Sequence, residues 1–514
     1  MNEKSRVDYS ILNICAGLGG YVVNFLLGII CRIVFTKTLA IEYLGISGLF
    51  TNVLSMLSLA ELGIGSAIGY ALYKPLATGD KPKITSLMRF YAKCYQVIGI
   101  VVALLGIALM PFLHLLIQEA PAIKENIYVV YLLFLFNSAS SYFFSYRSAL
   151  LTAAQQHYLV TGINYAITIG QSIIQTALLF ATHNYMLYLG VQIIGGLSYN
   201  VIISTVAKRK FPYIEHEPSA PLPENEKKSL MANVRALTIS RLSGLLVNQT
   251  DNMIISFFNG LITVGIASNY TLLTNTLNTV LNIIFNGISA SVGNHNAIED
   301  SDKKYMLFKA LNMANFWLFG WGAIGIFLCS TDIVKLLFGE QYALPFEIPL
   351  ILAINFYMVG MQSAVWTYKS TMGLFRQGRY LLLVTASINL VLSIIFGKLW
   401  GLFGILLATA FARAFTNTWY DPYAIHKYGF NKPALPYFIN YIKYAITLIV
   451  TAALCMLLCR LMDFALWCNV ICKVLICSIV PNLMFTMCFA RTDESKQLLL
   501  FADRIIKKLL LKVK

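Results

Sequence analysis

Charged residues are scarce in this chain: of its 514 residues only 12% are Asp, Glu, Lys or Arg, whereas 58% are hydrophobic. A soluble globule of this size needs a far more polar surface, so the composition excludes that class of protein. Acidic residues are the scarcer sign, with 23 Asp and Glu against 39 Lys and Arg. The polar stretches between the apolar segments are also too short to fold as a catalytic domain.

Signatures of common enzymes are likewise missing. No Gly-rich phosphate loop follows a strand pattern, no helix carries a His/Glu zinc motif, and no nucleophile stands beside a base. Ten cysteines are present, but most lie in apolar segments, and the pairs Cys455/Cys459 and Cys468/Cys472 have helical spacing. We interpret these cysteines as structural. The sequence therefore predicts no enzymatic activity, no metal site and no cofactor.

What the chain does contain is fourteen apolar segments, each long enough to cross a bilayer. A helix needs about 20 mostly apolar residues to span the hydrocarbon layer, because each backbone polar group must be satisfied within its own segment there. The predicted fold class is an all-α polytopic membrane protein with about fourteen transmembrane helices. The predicted spans are residues 11–36, 43–73, 90–117, 126–150, 158–181, 185–206, 233–258, 261–291, 305–329, 346–370, 379–398, 401–425, 437–460 and 465–490.

The positive charges favour one face of the membrane over the other. If the N-terminus is cytoplasmic, thirty of the 39 Lys and Arg fall in cytoplasmic segments or the adjoining span ends. Because positive charge near span ends resists translocation, we expect both termini to be cytoplasmic. We also expect the first apolar segment to be a retained span and not a signal peptide. The net charge of +16 thus indicates topology and not nucleic-acid binding.

A polar stretch divides the spans into two groups. Residues 207–232 contain four prolines and mixed charge, which predicts a cytoplasmic linker. Six spans precede the linker and eight follow it. The predicted domains are an N-terminal six-helix lobe at 1–206, the linker at 207–232, a C-terminal six-helix lobe at 233–428, helices 13 and 14 at 429–492, and a basic amphipathic cytoplasmic tail at 493–514.

A weak internal repeat relates the two lobes. With an offset of about 220 residues, residues 44–47 (LGIS) align with residues 264–267 (VGIA), and residues 115–117 (LLI) align with residues 336–338 (LLF). Both copies begin at the same membrane face and contain six spans. The repeat is therefore predicted to be parallel, with its axis along the membrane normal.

Polar side chains follow one face of several predicted spans. A helix that faces only lipid has no use for amides, so these rows indicate either contacts between helices or a hydrated cavity. Four rows distributed over both lobes favour the cavity. The rows are Asn13, Gly17, Gly20, Asn24, Gly28 and Arg32 in span one, Asn164, Thr168, Gln171 and Gln175 in span five, Arg241, Asn248, Asn252 and Ser256 in span seven, and Thr271, Asn275, Asn278, Asn282 and Asn286 in span eight.

Ionisable residues within the spans also favour a hydrated cavity, because insertion of Arg, Lys or Asp at a helix centre costs about 2.5–3.5 kcal/mol. Their excess is cationic, which suits an anionic ligand, and Arg offers a planar donor fork that matches phosphate. Residues near span ends, such as Arg32, Arg147 and Lys369, could instead extend to the interface. The acidic residues could pair with the arginines or carry a coupling H⁺ or Na⁺. The set comprises Arg32, Arg147, Arg241, Lys369 and Arg413 with the acidic Glu61 and Asp251.

Four segments resemble bacterial polysaccharide flippases. They are EYLGISGLFTNVLSMLSLAELGIGSAIGYALYKP (residues 42–75), SRLSGLLVNQTDNMIIS (240–256), KLLFGEQY (335–342) and KSTMGLFRQGRY (369–380). In these segments the chain is similar to the Wzx-type exporters of capsule and O-antigen polysaccharides, which belong to the multidrug/oligosaccharidyl-lipid/polysaccharide (MOP) superfamily. The resemblance extends over nearly the whole chain.

The resemblance implies a two-lobed flippase of the bacterial cytoplasmic membrane. Such a protein moves an undecaprenyl-pyrophosphate-linked oligosaccharide to the outer leaflet by alternating access, for surface polysaccharide biosynthesis. The basic residues would meet the pyrophosphate or an acidic sugar, and the amide rows would accommodate hydroxyls. A multidrug/cation antiporter of the same superfamily and a membrane glycosyltransferase or polymerase remain as alternatives, whereas a purely structural scaffold has no need for buried arginines.

Overall fold

The computed structural model describes residues 6–57, 64, 69, 71–72, 75–76, 78–117, 123–154, 156–216, 222–298, 301–372, 374, 377–378, 380–462 and 464–499. All regular structure within these residues is helical, which confirms the predicted fold class. In chain order the long helices are α1 (Arg6–Thr38), α2 (Ile41–Leu57), α3 (Lys81–Leu109), α4 (Ile127–Ala153), α5 (His157–Thr182), α6 (Tyr185–Lys210), α7 (Glu224–Ile298), α8 (Ser301–Phe338), α9 (Glu347–Thr371), α10 (Leu381–Phe415), α11 (Asn417–Ala424), α12 (Leu435–Arg460) and α13 (Leu466–Phe489).

Each predicted span overlaps a helix or one part of a broken helix. Two helices contain a break, at Gly260 in α7 (φ 78°) and at Gly401 in α10 (φ 57°). Both glycines lie at boundaries between predicted spans, and glycine adopts positive φ without steric penalty. Among the described residues, ten helical stretches are long and apolar enough to cross a membrane. The chain is a multi-pass membrane protein.

Helix packing divides the chain into two compact units, Met1–Gly265 and Ile266–Lys514. In the first unit α1 packs along α5, and α4 packs against α3 and α6. The predicted linker is partly helical, because α6 ends at Lys210, a single turn covers Tyr213–His216, and α7 begins at Glu224. The predicted domain boundaries remain predictions.

A crossing of α2 and α7 in the first unit requires glycine on both helices. A Cβ atom at Gly45 would lie 2.1 Å from the carbonyl oxygen of Leu261, and a Cβ atom at Gly265 would lie 2.9 Å from that of Ile41. Side chains cannot fit where two helix backbones approach so closely. The contact is reciprocal, since the sequence repeat aligns Gly45 with Gly265 and Ile41 with Leu261. This reciprocity supports the predicted repeat.

The second unit is organised around α8, which packs on α9 and α13. Phe316 of α8 lies in the core of this unit, with its ring centroid 4.6 Å from that of Phe485 of α13. Trp317 Nε1 donates to Asn482 Oδ1 at 2.6 Å, which adds a polar contact between the same two helices. The last helix is therefore bound to the core of the second unit by aromatic packing and hydrogen bonding.

Candidate functional site

In the first unit a basic residue of α4 contacts a hydroxyl of α6. Arg147 Nη1 donates a hydrogen bond to Ser204 Oγ. The guanidinium carbon also lies 5.2 Å from the ring centroid of the neighbouring Tyr146. Arg147 is half-buried and lies six residues before α4 ends at Ala153. The hydroxyl of Ser204 is a neutral acceptor, so this hydrogen bond leaves the charge of the guanidinium in place.

The second unit has an ion pair at the corresponding position. Lys369 Nζ at the end of α9 lies 2.5 Å from Asp421 Oδ1 of α11. The carboxylate is almost completely buried, at 2% exposure, and its Oδ2 accepts from Trp366 Nε1 and Asn417 Nδ2, each at 3.3 Å. Three donors thus satisfy one buried carboxylate, which is the condition for burying a charge without a large penalty.

Asp421 is a residue that the sequence analysis missed. It lies within the predicted span 401–425, whereas the candidate acidic residues predicted from the sequence are Glu61 and Asp251. The charge of Lys369 is paired with this carboxylate. Two features of the sequence could have identified Asp421. It is an acidic residue within a predicted span, and it lies close to the position that the repeat aligns with Ser204.

Hydroxyls and amides of α10 and α11 extend this polar cluster. The Thr385 hydroxyl lies 2.8 Å from Thr416 Oγ1 and 2.7 Å from Asn417 Oδ1. Asn389 Nδ2 donates to Thr409 Oγ1 at 2.9 Å, which connects the two parts of α10 on either side of Gly401. All five of these side chains are buried. The network fixes α11, and hence Asp421, against α10.

The amide row of α5 is divided between an exposed and a buried part. Asn164 is exposed, whereas Gln175 is only 3% exposed and its Nε2 donates to the backbone oxygen of Tyr188 on α6 at 3.1 Å. Gln171 lies between them and donates to Gln175 Oε1 at 3.3 Å. Gln171 and Gln175 therefore contribute to the contact between α5 and α6, and Asn164 stays accessible.

The amide row of the second part of α7 is more open. Thr271, Asn275 and Thr279 are exposed at intervals of four residues. Asn278 and Asn282 are half-buried and joined by a hydrogen bond of 2.8 Å from Asn282 Nδ2 to Asn278 Oδ1. Exposed polar side chains at helical spacing in an apolar helix form a polar stripe, which lipid would disfavour.

The other predicted site residues are distributed over three helices. Arg32 of α1, Asp251 and Asn252 of α7, and Arg413 of α10 are half-buried. Asn252 Nδ2 lies 3.8 Å from where a Cβ atom of Gly48 would be, so this amide packs against α2. Glu61 and the side chains of Arg241 and Asn248 lie outside the described residues.

A second polar cluster that the sequence analysis missed lies where α2 begins in the first unit. The Tyr43 hydroxyl donates to Glu125 Oε2, and Ser47 Oγ lies 2.8 Å from the Tyr185 hydroxyl. The rings of Tyr43 and Tyr185 are 4.5 Å apart. Nothing in the spacing of these residues indicated the cluster, because Glu125 lies in a loop between α3 and α4. Within the described ranges, no group of three or more His, Cys, Asp or Glu could hold a metal ion.

The fold is shared with solved transporters. A lipid II flippase, MurJ, in an inward closed conformation matches with a TM-score of 0.67 and 14% identity, over 93% of this chain and 99% of that chain. A multidrug resistance MATE family transporter of the MOP superfamily matches in its inward-facing conformation with a TM-score of 0.56 and 13% identity, over 80% of this chain and 94% of that chain. The outward-facing conformation gives 0.53 and 12%, over 82% and 96%. No protein-family model and no curated protein matches the sequence. At these identities the likeness shows the fold, and the chain has the architecture of these transporters.

Proposed function

We propose that this protein is a flippase that moves undecaprenyl-pyrophosphate-linked oligosaccharide units across a bacterial cytoplasmic membrane by alternating access. The observation that carries this proposal is the likeness to the lipid II flippase, which extends over 93% of this chain at a TM-score of 0.67. A transporter fold of this kind needs no catalytic residues. Its cargo must instead be recognised by side chains within the spans.

The chemistry of the predicted site suits a diphosphate joined to a sugar. Arg147 and Arg413 are half-buried within the membrane segments, and a guanidinium matches phosphate oxygens with a planar set of donors. The exposed Asn164 and Asn275 offer both donors and acceptors, which is what sugar hydroxyls require. We assign Arg32, Arg147, Arg241 and Arg413 to the diphosphate or an acidic sugar, and the amide rows to the hydroxyls.

Lys369 has a different role in this proposal. Because its ammonium group is paired with the buried carboxylate of Asp421, it contributes to the packing of α9 against α11 and not directly to the cargo. The ion that drives transport is proposed to be H⁺ or Na⁺, with Asp251 and Glu61 as the candidate acidic residues. Membrane lipid surrounds the protein, and both termini are proposed to be cytoplasmic.

Reconstitution tests this function. Purified protein in liposomes, with a fluorescent undecaprenyl-pyrophosphate oligosaccharide, should increase the rate at which the labelled headgroup becomes accessible in the opposite leaflet. The Arg413→Gln variant should lower this rate by about tenfold, as expected for loss of a hydrogen bond to a charged group. Arg460→Gln, an exposed arginine at the end of α12, is the matched control and should leave the rate unchanged.

The MATE likeness favours a second candidate, a multidrug/cation antiporter of the same superfamily. A cationic drug requires acidic or aromatic groups at the site, and the predicted site is mainly basic. The two candidates differ in the result of one comparison. If proteoliposomes move the labelled glycolipid no faster than empty liposomes, and cells that express the protein gain drug resistance, the antiporter replaces the flippase. Growth of the labelled oligosaccharide chain would instead indicate a polymerase.

A further inference from the structure

A basic hollow lies between the end of the α10–α11 segment and the start of α12. It has a volume of about 400 Å³ and opens to the protein surface. A six-residue π-helical turn, Ile425–Phe430, precedes it. The hollow is lined by Tyr423, Lys427, Asn431, Lys432, Pro433 and Ala434.

Two ammonium groups give the hollow its charge. Lys427 is exposed, donates to the hydroxyl of Tyr423 at 3.0 Å, and lies 5.4 Å from the ring centroids of both Tyr423 and Tyr428. Lys432 lies 2.5 Å from Asp302, whose carboxylate is highly exposed at 85%. The tyrosine hydroxyl is neutral, and water screens the exposed ion pair. The hollow therefore keeps a net positive charge.

The start of α12 adds to this charge. Ala434 is the N-cap residue of this helix of 26 residues and provides no side-chain cap. The partial positive charge of a helix N-terminus is strongest within the first turn. Pro433 and Ala434, which line the hollow, bring this end of the helix to it. An anion in the hollow would thus be stabilised by Lys427, by the ammonium group of Lys432 that is shared with the exposed Asp302, and by the N-terminus of the helix.

An exposed apolar stripe begins beside the hollow and follows α12. Its side chains are spaced by four, three, four and three residues, which places them on one helical face. They are between 45% and 67% exposed. The stripe consists of Leu435, Ile439, Ile442, Ile446 and Ile449.

We propose that this hollow binds the phosphate of an anionic phospholipid of the bilayer, with the acyl chains along the stripe of α12. The inference rests on charge and apolar surface lying side by side. A free phosphate would not contact the stripe, and a neutral lipid would gain no attraction from the lysines, whereas an anionic phospholipid would bind both. Tyrosines beside the hollow are typical of the membrane interface. The proposal is independent of the cargo and does not involve the residues assigned to it.

Lipid retention by the purified full-length protein tests the proposal. Native mass spectrometry, with phosphatidylglycerol or phosphatidylcholine added in detergent, measures how much of each lipid stays bound. The wild type should retain phosphatidylglycerol preferentially. The Lys427→Gln/Lys432→Gln variant should bind it about tenfold more weakly, since each lysine near a headgroup contributes to anionic lipid binding. Lys427→Gln alone should give part of this loss with the Lys432 ion pair intact.

The control is Lys398→Gln/Arg460→Gln, which removes two exposed cations outside the hollow, one next to the break in α10 and one at the far end of α12. It should bind phosphatidylglycerol as the wild type does. An equal loss in the control, equal retention of phosphatidylcholine by the wild type, or displacement of the lipid by millimolar inorganic phosphate would each overturn the proposal. The Lys427→Arg/Lys432→Arg variant, which keeps the charge, should restore retention.

Discussion

The two units make corresponding helix contacts with different polar side chains. In the first, Arg147 in the C-terminal part of α4 donates to the hydroxyl of Ser204 on α6. In the second, Lys369 at the end of α9 pairs with the carboxylate of Asp421 on α11. These positions are separated by roughly the offset of the internal repeat. The same helix contact is therefore made by a neutral acceptor in one copy and by a buried anion in the other.

This difference shows that a basic residue within a span is not automatically a ligand for an anion. Lys369 and Arg147 are equivalent as sequence features, since each is a cation at the end of a predicted span. The group that each cation contacts across the helix pair differs in charge, since the Ser204 hydroxyl is neutral and Asp421 is a carboxylate. Substitutions in one copy at a time therefore allow each effect to be measured against the other copy.

The largest effect is expected from removal of the buried carboxylate. Asp421→Asn should lower the free energy of unfolding by about 3 kcal/mol, because the half-buried ammonium group of Lys369 then loses its counterion. Thermal unfolding in detergent measures the change. The double variant Asp421→Asn/Lys369→Met should recover most of the stability, and a double variant no more stable than the single one would contradict the buried ion pair.

A smaller loss of stability is expected at the crossing of α2 and α7. Gly45→Ala should destabilise the protein by about 2 kcal/mol, because the new methyl group would lie 2.1 Å from a carbonyl oxygen. In Gly265→Ala the new methyl group would lie 2.9 Å from the carbonyl oxygen of Ile41, so the loss of stability should be smaller. Gly28→Ala, where no atom lies within 4 Å, is the matched control and should unfold as the wild type does. Equal melting temperatures for all three variants would argue against the close crossing.

Conversion of the first copy into the second should affect transport more than stability. Ser204→Asp places a carboxylate beside Arg147, so the guanidinium should attract a phosphorylated cargo less strongly. We expect about a tenfold slower flip rate in liposomes with little change in unfolding temperature. Ser204→Ala removes the hydrogen bond without adding charge and should have a weaker effect on the rate. A flip rate unaffected by Ser204→Asp would remove Arg147 from the proposed cargo site.

The smallest effect on stability is expected in the amide rows of α5 and α7, whose substitutions should have different consequences. Gln175→Leu removes the hydrogen bond to Tyr188 on α6 and should cost about 0.6 kcal/mol, which is typical of such contacts in membranes. Asn275→Leu changes an exposed side chain and should leave the unfolding temperature unaltered while slowing transport. Thermal unfolding and the liposome assay distinguish the two. If Asn275→Leu lowered the unfolding temperature and Gln175→Leu slowed transport instead, the row of α7 would serve helix packing and the row of α5 would serve transport.

The sequence was sufficient for the helices because hydropathy reports burial in lipid directly. Both breaks, at Gly260 and Gly401, fell where one predicted span ended and the next began. The partner of Lys369 could not be found in the same way, since Asp421 is distant in sequence and helix packing alone brings the two together. Likewise, the spacing placed Gln175 and Asn164 on one face of α5 but could not show that only one of them is buried by α6.

The proposed function depends most directly on whether the exposed polar residues of the spans face water. In a variant without the ten native cysteines, Asn164→Cys and Asn275→Cys would each be treated with a membrane-impermeant thiol reagent in reconstituted protein. Ile173→Cys and Val280→Cys, at exposed apolar positions of the same helices, are the controls. If the polar rows line a path for the cargo, the cysteines at 164 and 275 should react and those at 173 and 280 should not. If all four positions proved equally unreactive, including during transport, the polar rows would not line a path for a sugar and the proposed function would lose its physical basis.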